Sequence, residues 1–98
     1  MAVTHGEHSV ARHHLALLTP FTIRVARIER TVRRGKATMA LLQQLAGGSR
    51  ATVKRDLEVL RDLGAVITYN AFDNGYELRN PEWPGVLQVV AEELRRWA

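Results

Sequence analysis

The sequence contains no cysteine, so neither a disulfide framework nor a thiolate metal site is open to it. It has no apolar run near the roughly 18 residues that span a bilayer. Its opening, MAVTHGEHSV, has neither the basic start nor the apolar stretch of a secretory signal. These absences lead to the expectation of a cytoplasmic protein with no membrane partner. Aromatic residues are scarce, two each of Phe, Tyr and Trp, and most fall at core-like positions. That leaves no stacking platform for single-stranded nucleic acid. There is no nucleophile–base constellation, and the GKAT that follows Arg34 lacks the rest of a phosphate-binding loop. His5, His8, His13 and His14, with Glu7, match no strong ligand spacing. No enzyme activity, cofactor or metal is expected.

What is present is a basic chain with enough apolar material for one core. Of the 98 residues, 46% are hydrophobic, and Lys plus Arg number 14 against 10 for Asp plus Glu, a formal charge of +4. The sequence pI is near 10.3. A balance of this kind favours anionic partners.

Capping signals divide the chain. Ser9 can cap a short helix, VARHHLALL, that stops before Pro20. Thr19 caps a second helix with Pro20 at its first position, and Phe21, Val25, Ile28 and Val32 form its buried stripe; Gly35 ends it. Thr38 caps a third helix, MALLQQLA, and Gly47-Gly48 force a tight turn. Ser49 caps a fourth, running to about Leu63 with Gly64 as its stop; Val53, Leu57, Leu60 and Gly64 share a face. AVITYNA and YELR then read as two strands of a hairpin, with Asn74-Gly75 supplying positive φ. After Pro81 and Pro84 comes a last helix, GVLQVVAEELRRW, with Leu87, Val90, Leu94 and Trp97 on one face. The expected fold is mainly α with a small β-hairpin: a winged helix-turn-helix with an additional helix at each end. Residues 20–80 would be the central domain, 1–19 an N-terminal segment with a short helix, and 81–98 a C-terminal helix.

A short helix, a glycine turn and a capped helix make a helix-turn-helix unit, whose second helix can enter the major groove of DNA. Such a helix needs an apolar back and a polar, basic front near its N-terminus. In SRATVKRDLEVLRDLG the Val53 stripe supplies the back. Ala51, Thr52, Arg55, Glu58 and Val59 point away from it, and Arg50 and Lys54 flank it, which suits backbone phosphate better than base edges. The free N–H groups at Ser49 also favour a phosphate, and arginine can pair bidentately with guanine. Against this, Glu58 and Asp62 can pair with Lys54 and Arg61 and mute the basic signal.

The stretch SRATVKRDLEVLRDLGAVITYNAFDNGYEL resembles the recognition helix and wing of the DeoR-like and WYL-associated bacterial transcription regulators. The resemblance rests on Ser49, Thr52, Val53, Lys54, Arg55, Asp56, Leu57, Gly75 and Tyr76, and extends more loosely over Arg24 to Leu78. The chain departs from that pattern at Gly48, where an aliphatic residue is usual, and at Gln43, where a small one is. The resemblance implies operator contacts by Ser49, Arg50, Thr52, Lys54 and Arg55 and a wing lying along a groove or the backbone. Members usually continue into a sensing domain, so a stand-alone binder and a piece of a longer protein both stay open.

The expectation is therefore a sequence-specific duplex-DNA-binding regulator, a repressor by preference, with its effector unknown. Its DNA-binding residues are Ser49, Arg50, Ala51, Thr52, Lys54, Arg55, Asn70 and Asn74, with phosphate contacts from Thr38, Arg34 and Lys36. Tyr69 and Asp73 would lie in or near the wing, with Tyr76 packed beneath it. Most of the run Arg24, Arg27, Arg30, Arg33, Arg34 and Lys36 reads as a solvated helix face. Leu15, Leu18, Leu87, Val90, Leu94 and Trp97 are a candidate homodimer surface, since a dimer reads a palindrome as two half-sites. The rival reading is a protein-interaction module that docks a partner through the apolar terminal helices.

Overall fold

The computed structural model describes residues 19–97; the expected helix VARHHLALL, the four histidines, Leu15 and Leu18 lie outside them. Among the described residues the order is α1 (Pro20–Arg34), α2 (Met39–Ala46), α3 (Arg50–Asp62), β1 (Ile67–Asn70), β2 (Gly75–Leu78) and α4 (Val86–Trp97). The fold is mainly helical with one two-stranded antiparallel hairpin. None of these helices is long and apolar enough to cross a membrane.

Each of the first three helices starts where a hydroxyl meets an orphan N–H. Thr19, Thr38 and Ser49 accept from the amides of Thr22, Leu41 and Thr52, each at 3.2 Å, which satisfies one of the free donors at each N-terminus. Gly47 adopts a left-handed conformation (φ 63°) to end α2, and Gly64, at φ 114°, follows the end of α3. Gly64 has a second reason to lack a side chain: a Cβ there would lie 2.9 Å from Trp83 Nε1.

The core is built from Val25, Ile28 and Val32 of α1, Leu42 of α2, and Val53, Leu57 and Leu60 of α3, closed by Ala37, Ala65, Ile67, Trp83 and Val86. Phe21 departs from the expected stripe. It is 43% exposed, because it sits in the first turn of α1, outside the layer where α1 and α3 meet. Its ring is instead a face for Arg24, whose Cζ lies 5.2 Å from the centroid.

Arg24 also meets the one buried charge among the described residues. Asp56 on α3 has no exposure to solvent. Its carboxylate accepts from Arg24 Nε at 2.6 Å and Nη2 at 2.9 Å, a bidentate pair across α1 and α3. The Asp56 hydrogen bond raises the Arg24 pKa above its ordinary value, so the guanidinium keeps its charge.

A second polar cluster fastens α4. Glu29 on α1 accepts from the Val86 amide at 2.7 Å through one oxygen and from Arg33 Nε at 2.7 Å through the other. Arg33 in turn donates to the Pro81 and Trp83 carbonyls, while Trp83 Nε1 donates to Leu63 O at 3.0 Å. A carboxylate borrowed from another helix thus caps α4, favourably placed at the positive end of the helix dipole. The inward face of α4 is Val86, Val89 and Val90. The expected covering stripe is only partly inward: Leu87 is 48% and Trp97 85% exposed.

The two partners of the buried pair are not equivalent. Removing Arg24 strands a fully buried carboxylate, whereas removing Asp56 leaves a guanidinium whose side chain is already 29% exposed and can turn to water. Urea denaturation should show Arg24→Ala losing about 3 kcal/mol of stability and Asp56→Ala only about 1–2 kcal/mol.

Candidate nucleic-acid interface

The segment between α1 and α2 sets the geometry of the site. Gly35 (φ 83°) and Lys36 (φ 58°) swing the chain round, and Ala37 pairs with Tyr76 like a fragment of a third strand. Tyr76 N–H reaches Ala37 O at 2.9 Å and Ala37 N–H reaches Tyr76 O at 3.4 Å. Gly75 makes this approach possible, because a Cβ on it would sit 2.9 Å from the Lys36 carbonyl carbon. The sequence assigned Asn74 and Gly75 a shared positive-φ role. Only Asn74 has it (φ 51°); Gly75 is extended within β2, and its lack of a side chain serves close packing instead.

Docking of β2 on Ala37 brings the start of α2 beside the hairpin, and the turn Gly47–Gly48–Ser49 brings the start of α3 to the same place. A cleft of about 520 Å³ results, lined by Thr38, Met39, Ala40, Arg50, Lys54, Tyr69, Asn74 and Tyr76. The first turns of α2 and α3 both border it, so backbone N–H groups and two cations share one hollow. That combination attracts an anion. Across the hollow, Tyr69 and Tyr76 are cross-strand partners packed edge to face at 5.2 Å between centroids. The Tyr69 hydroxyl donates to Asn74 Oδ1.

Along α3 the split between back and front is sharp. Val53, Asp56, Leu57 and Leu60 are buried, whereas Arg50, Ala51, Lys54, Arg55 and Glu58 are exposed. Thr52 and Val59 are intermediate, and Val59 packs on the core. Of the pairings that could mute the basic face, Arg61 and Glu58 do pair, and Arg61 also donates to the Ile67 carbonyl at the foot of the hairpin. Lys54, Arg50 and Arg55 form no ion pair among the described residues.

The structure therefore brings Thr38, Arg50, Lys54 and Asn74 together and ranges Ser49, Ala51, Thr52 and Arg55 along the adjoining face of α3. It does not bring in three others. Arg34 borders a different hollow with Arg27, Arg30, Thr31, Leu41 and Leu45. Lys36 contributes its backbone to the contact with Gly75. Asn70 is spent on the hairpin turn, where its Oδ1 accepts from the Phe72 amide and its Nδ2 donates to Asp73. Met39 and Ala40 are cleft residues that the sequence reading did not name, and Tyr69 and Tyr76, expected in and beneath the wing but not as contacts, also line it. Counting strand register back from Asn74-Gly75 would have paired the two tyrosines, but not shown that Ala37 holds them at the mouth of α2. No family model, curated protein or solved structure matches the chain.

Since the cleft depends on β2 lying against Ala37, Gly75→Ala should open it. The expected result is a loss of about 1–3 kcal/mol in urea denaturation, with faster amide hydrogen exchange at Tyr76 and Ala37 than at Leu57. Unchanged protection at those amides would contradict this account of the cleft.

Proposed function

We propose that the chain is a winged helix-turn-helix protein that binds duplex DNA sequence-specifically and regulates transcription, preferentially as a repressor. The observation that carries the reading is the convergence of Arg50, Lys54 and the first turns of α2 and α3 on one cleft, beside an exposed α3 face where Arg55 has no ion-pair partner among the described residues. In this reading α3 enters the major groove. Ala51, Thr52 and Arg55 face base edges, and Arg50, Lys54 and Thr38 hold the phosphate that seats in the cleft. The cleft side of the hairpin, Tyr69 and Asn74, lies along the backbone. Two copies bind a palindrome, joined through Leu94 and Trp97 at the distal part of α4.

The test is selection from a random duplex pool at two salt concentrations. The parent should enrich a palindromic site, and Arg55→Ala should lose preference at one base pair per half-site while still binding. Arg50→Ala and Lys54→Ala should weaken all sites alike and each lower the log–log salt slope by about one. Weak binding that selects nothing and ignores Arg55→Ala would sink the proposal in favour of a protein-docking module.

The dimer has its own check. Sedimentation at low micromolar concentration should give twice the monomer mass for the parent, and Trp97→Ala should lose this dimer at the same low concentration with its helical content unchanged.

A further inference from the structure

The tip of the hairpin is unlike the rest of this basic molecule. From Ile67 to Leu78 there is no Lys or Arg, and the acidic residues are Asp73 and Glu77; Glu77 is paired with Arg79 at 3.1 Å. At the apex Phe72 is 100% exposed. It is held there by a small network: the Phe72 amide is bound by Asn70, Asn70 reaches Asp73, and Asn74 is held by Tyr69. A phenyl ring kept fully in water beside a carboxylate is poorly suited to a polyanion and well suited to an apolar hole with a basic rim.

The same chain carries such a hole. Between α1 and the start of α4 is a groove of about 390 Å³ bordered by Ile23, Ala26, Pro84 and Leu87, with Arg27 and Arg30 at its edge. Ile23 and Leu87 are 39% and 48% exposed. Neither Arg27 nor Arg30 has an ion-pair partner among the described residues. Glu29, also at the groove, is already engaged by Arg33 and the Val86 amide, so the charge left over at the rim is positive.

We propose that the hairpin tip is a knob for a second copy of this chain: Phe72 seats in the α1–α4 groove of that copy, and Asp73 faces its Arg27 and Arg30. Knob and hole are different surfaces, so each copy offers one of each. The contact is separate from the α4 dimer proposed above and involves neither the cleft nor the exposed face of α3.

The experiment is sedimentation of the full chain without DNA, in a Trp97→Ala background that removes the α4 contact. The expected result is concentration-dependent self-association, weakened about tenfold or more by Phe72→Ala, as for loss of an aromatic anchor. Asp73→Arg alone and Arg30→Glu alone should each weaken it too. An equimolar mixture of those two charge variants should recover association, because the reversed tip meets the reversed groove and the unaltered tip meets the unaltered groove. All the substitutions lie at exposed positions, and circular dichroism checks that each variant is folded. A monomer at every concentration, self-association indifferent to Phe72→Ala, or no recovery in the mixture would each overturn the proposal. So would a Phe72→Ala variant that self-associates normally but loses affinity for duplex DNA, which would make the tip a nucleic-acid contact.

Discussion

Arg24 and Asp56 set the attitude of α3. A carboxylate with no exposure to solvent must have its oxygens satisfied, and the guanidinium fork satisfies both from the neighbouring helix. That requirement is directional. Hydrophobic burial of Val53, Leu57 and Leu60 would tolerate some roll of α3 about its axis, since an apolar contact has no preferred angle. A two-pronged hydrogen bond does not. With Asp56 pinned towards α1, Lys54 and Arg50 are turned to the hairpin and Arg55 to solvent. The pair's contribution to net stability is modest beside its desolvation cost; its contribution to orientation is what the cleft needs.

The basic residues divide by partner. Arg24, Arg33 and Arg61 are matched by Asp56, Glu29 and Glu58, and two of them also satisfy backbone carbonyls. They behave as cross-links between elements. Arg27, Arg30, Arg50, Lys54 and Arg55 have no such partners among the described residues, so the positive surplus gathers on the outer side of α1 and the front of α3. A formal charge of +4 spread evenly would steer an anion weakly. Gathered on two faces, it gives a local field whose sign and position are defined.

Helix boundaries were legible because they depend on chemistry local to the chain. Thr19-Pro20, Thr38, Ser49 and the glycines after α1, α2 and α3 act within one turn of themselves. The hairpin was legible for the same reason, with Asn74 at positive φ closing its turn. What was not legible depends on contacts distant in sequence. Asp56 stood out as a motif residue, but its partner lies 32 positions away among several arginines of similar spacing. Phe21 satisfied the period of the stripe and still fell outside the packing layer. Trp83 looked like part of a proline-bounded break, yet it closes the core by donating to the end of α3. The cleft was half legible: Arg50 and Lys54 follow from the capped helix, while Tyr69 and Tyr76 join them only because Ala37 bridges to β2.

Glu29 has a mechanical consequence. Its carboxylate holds the first amide of α4 with one oxygen and Arg33 with the other, and Arg33 grips the backbone at Pro81 and Trp83. α4 is thus a cantilever, clamped firmly at its root and free at Trp97. A sideways force at the free end is resisted at the root by α1, the beam that also carries Arg24. Torque applied there reaches the front of α3 through the Val86–Glu29 hydrogen bond, the body of α1 and the Arg24–Asp56 ion pair.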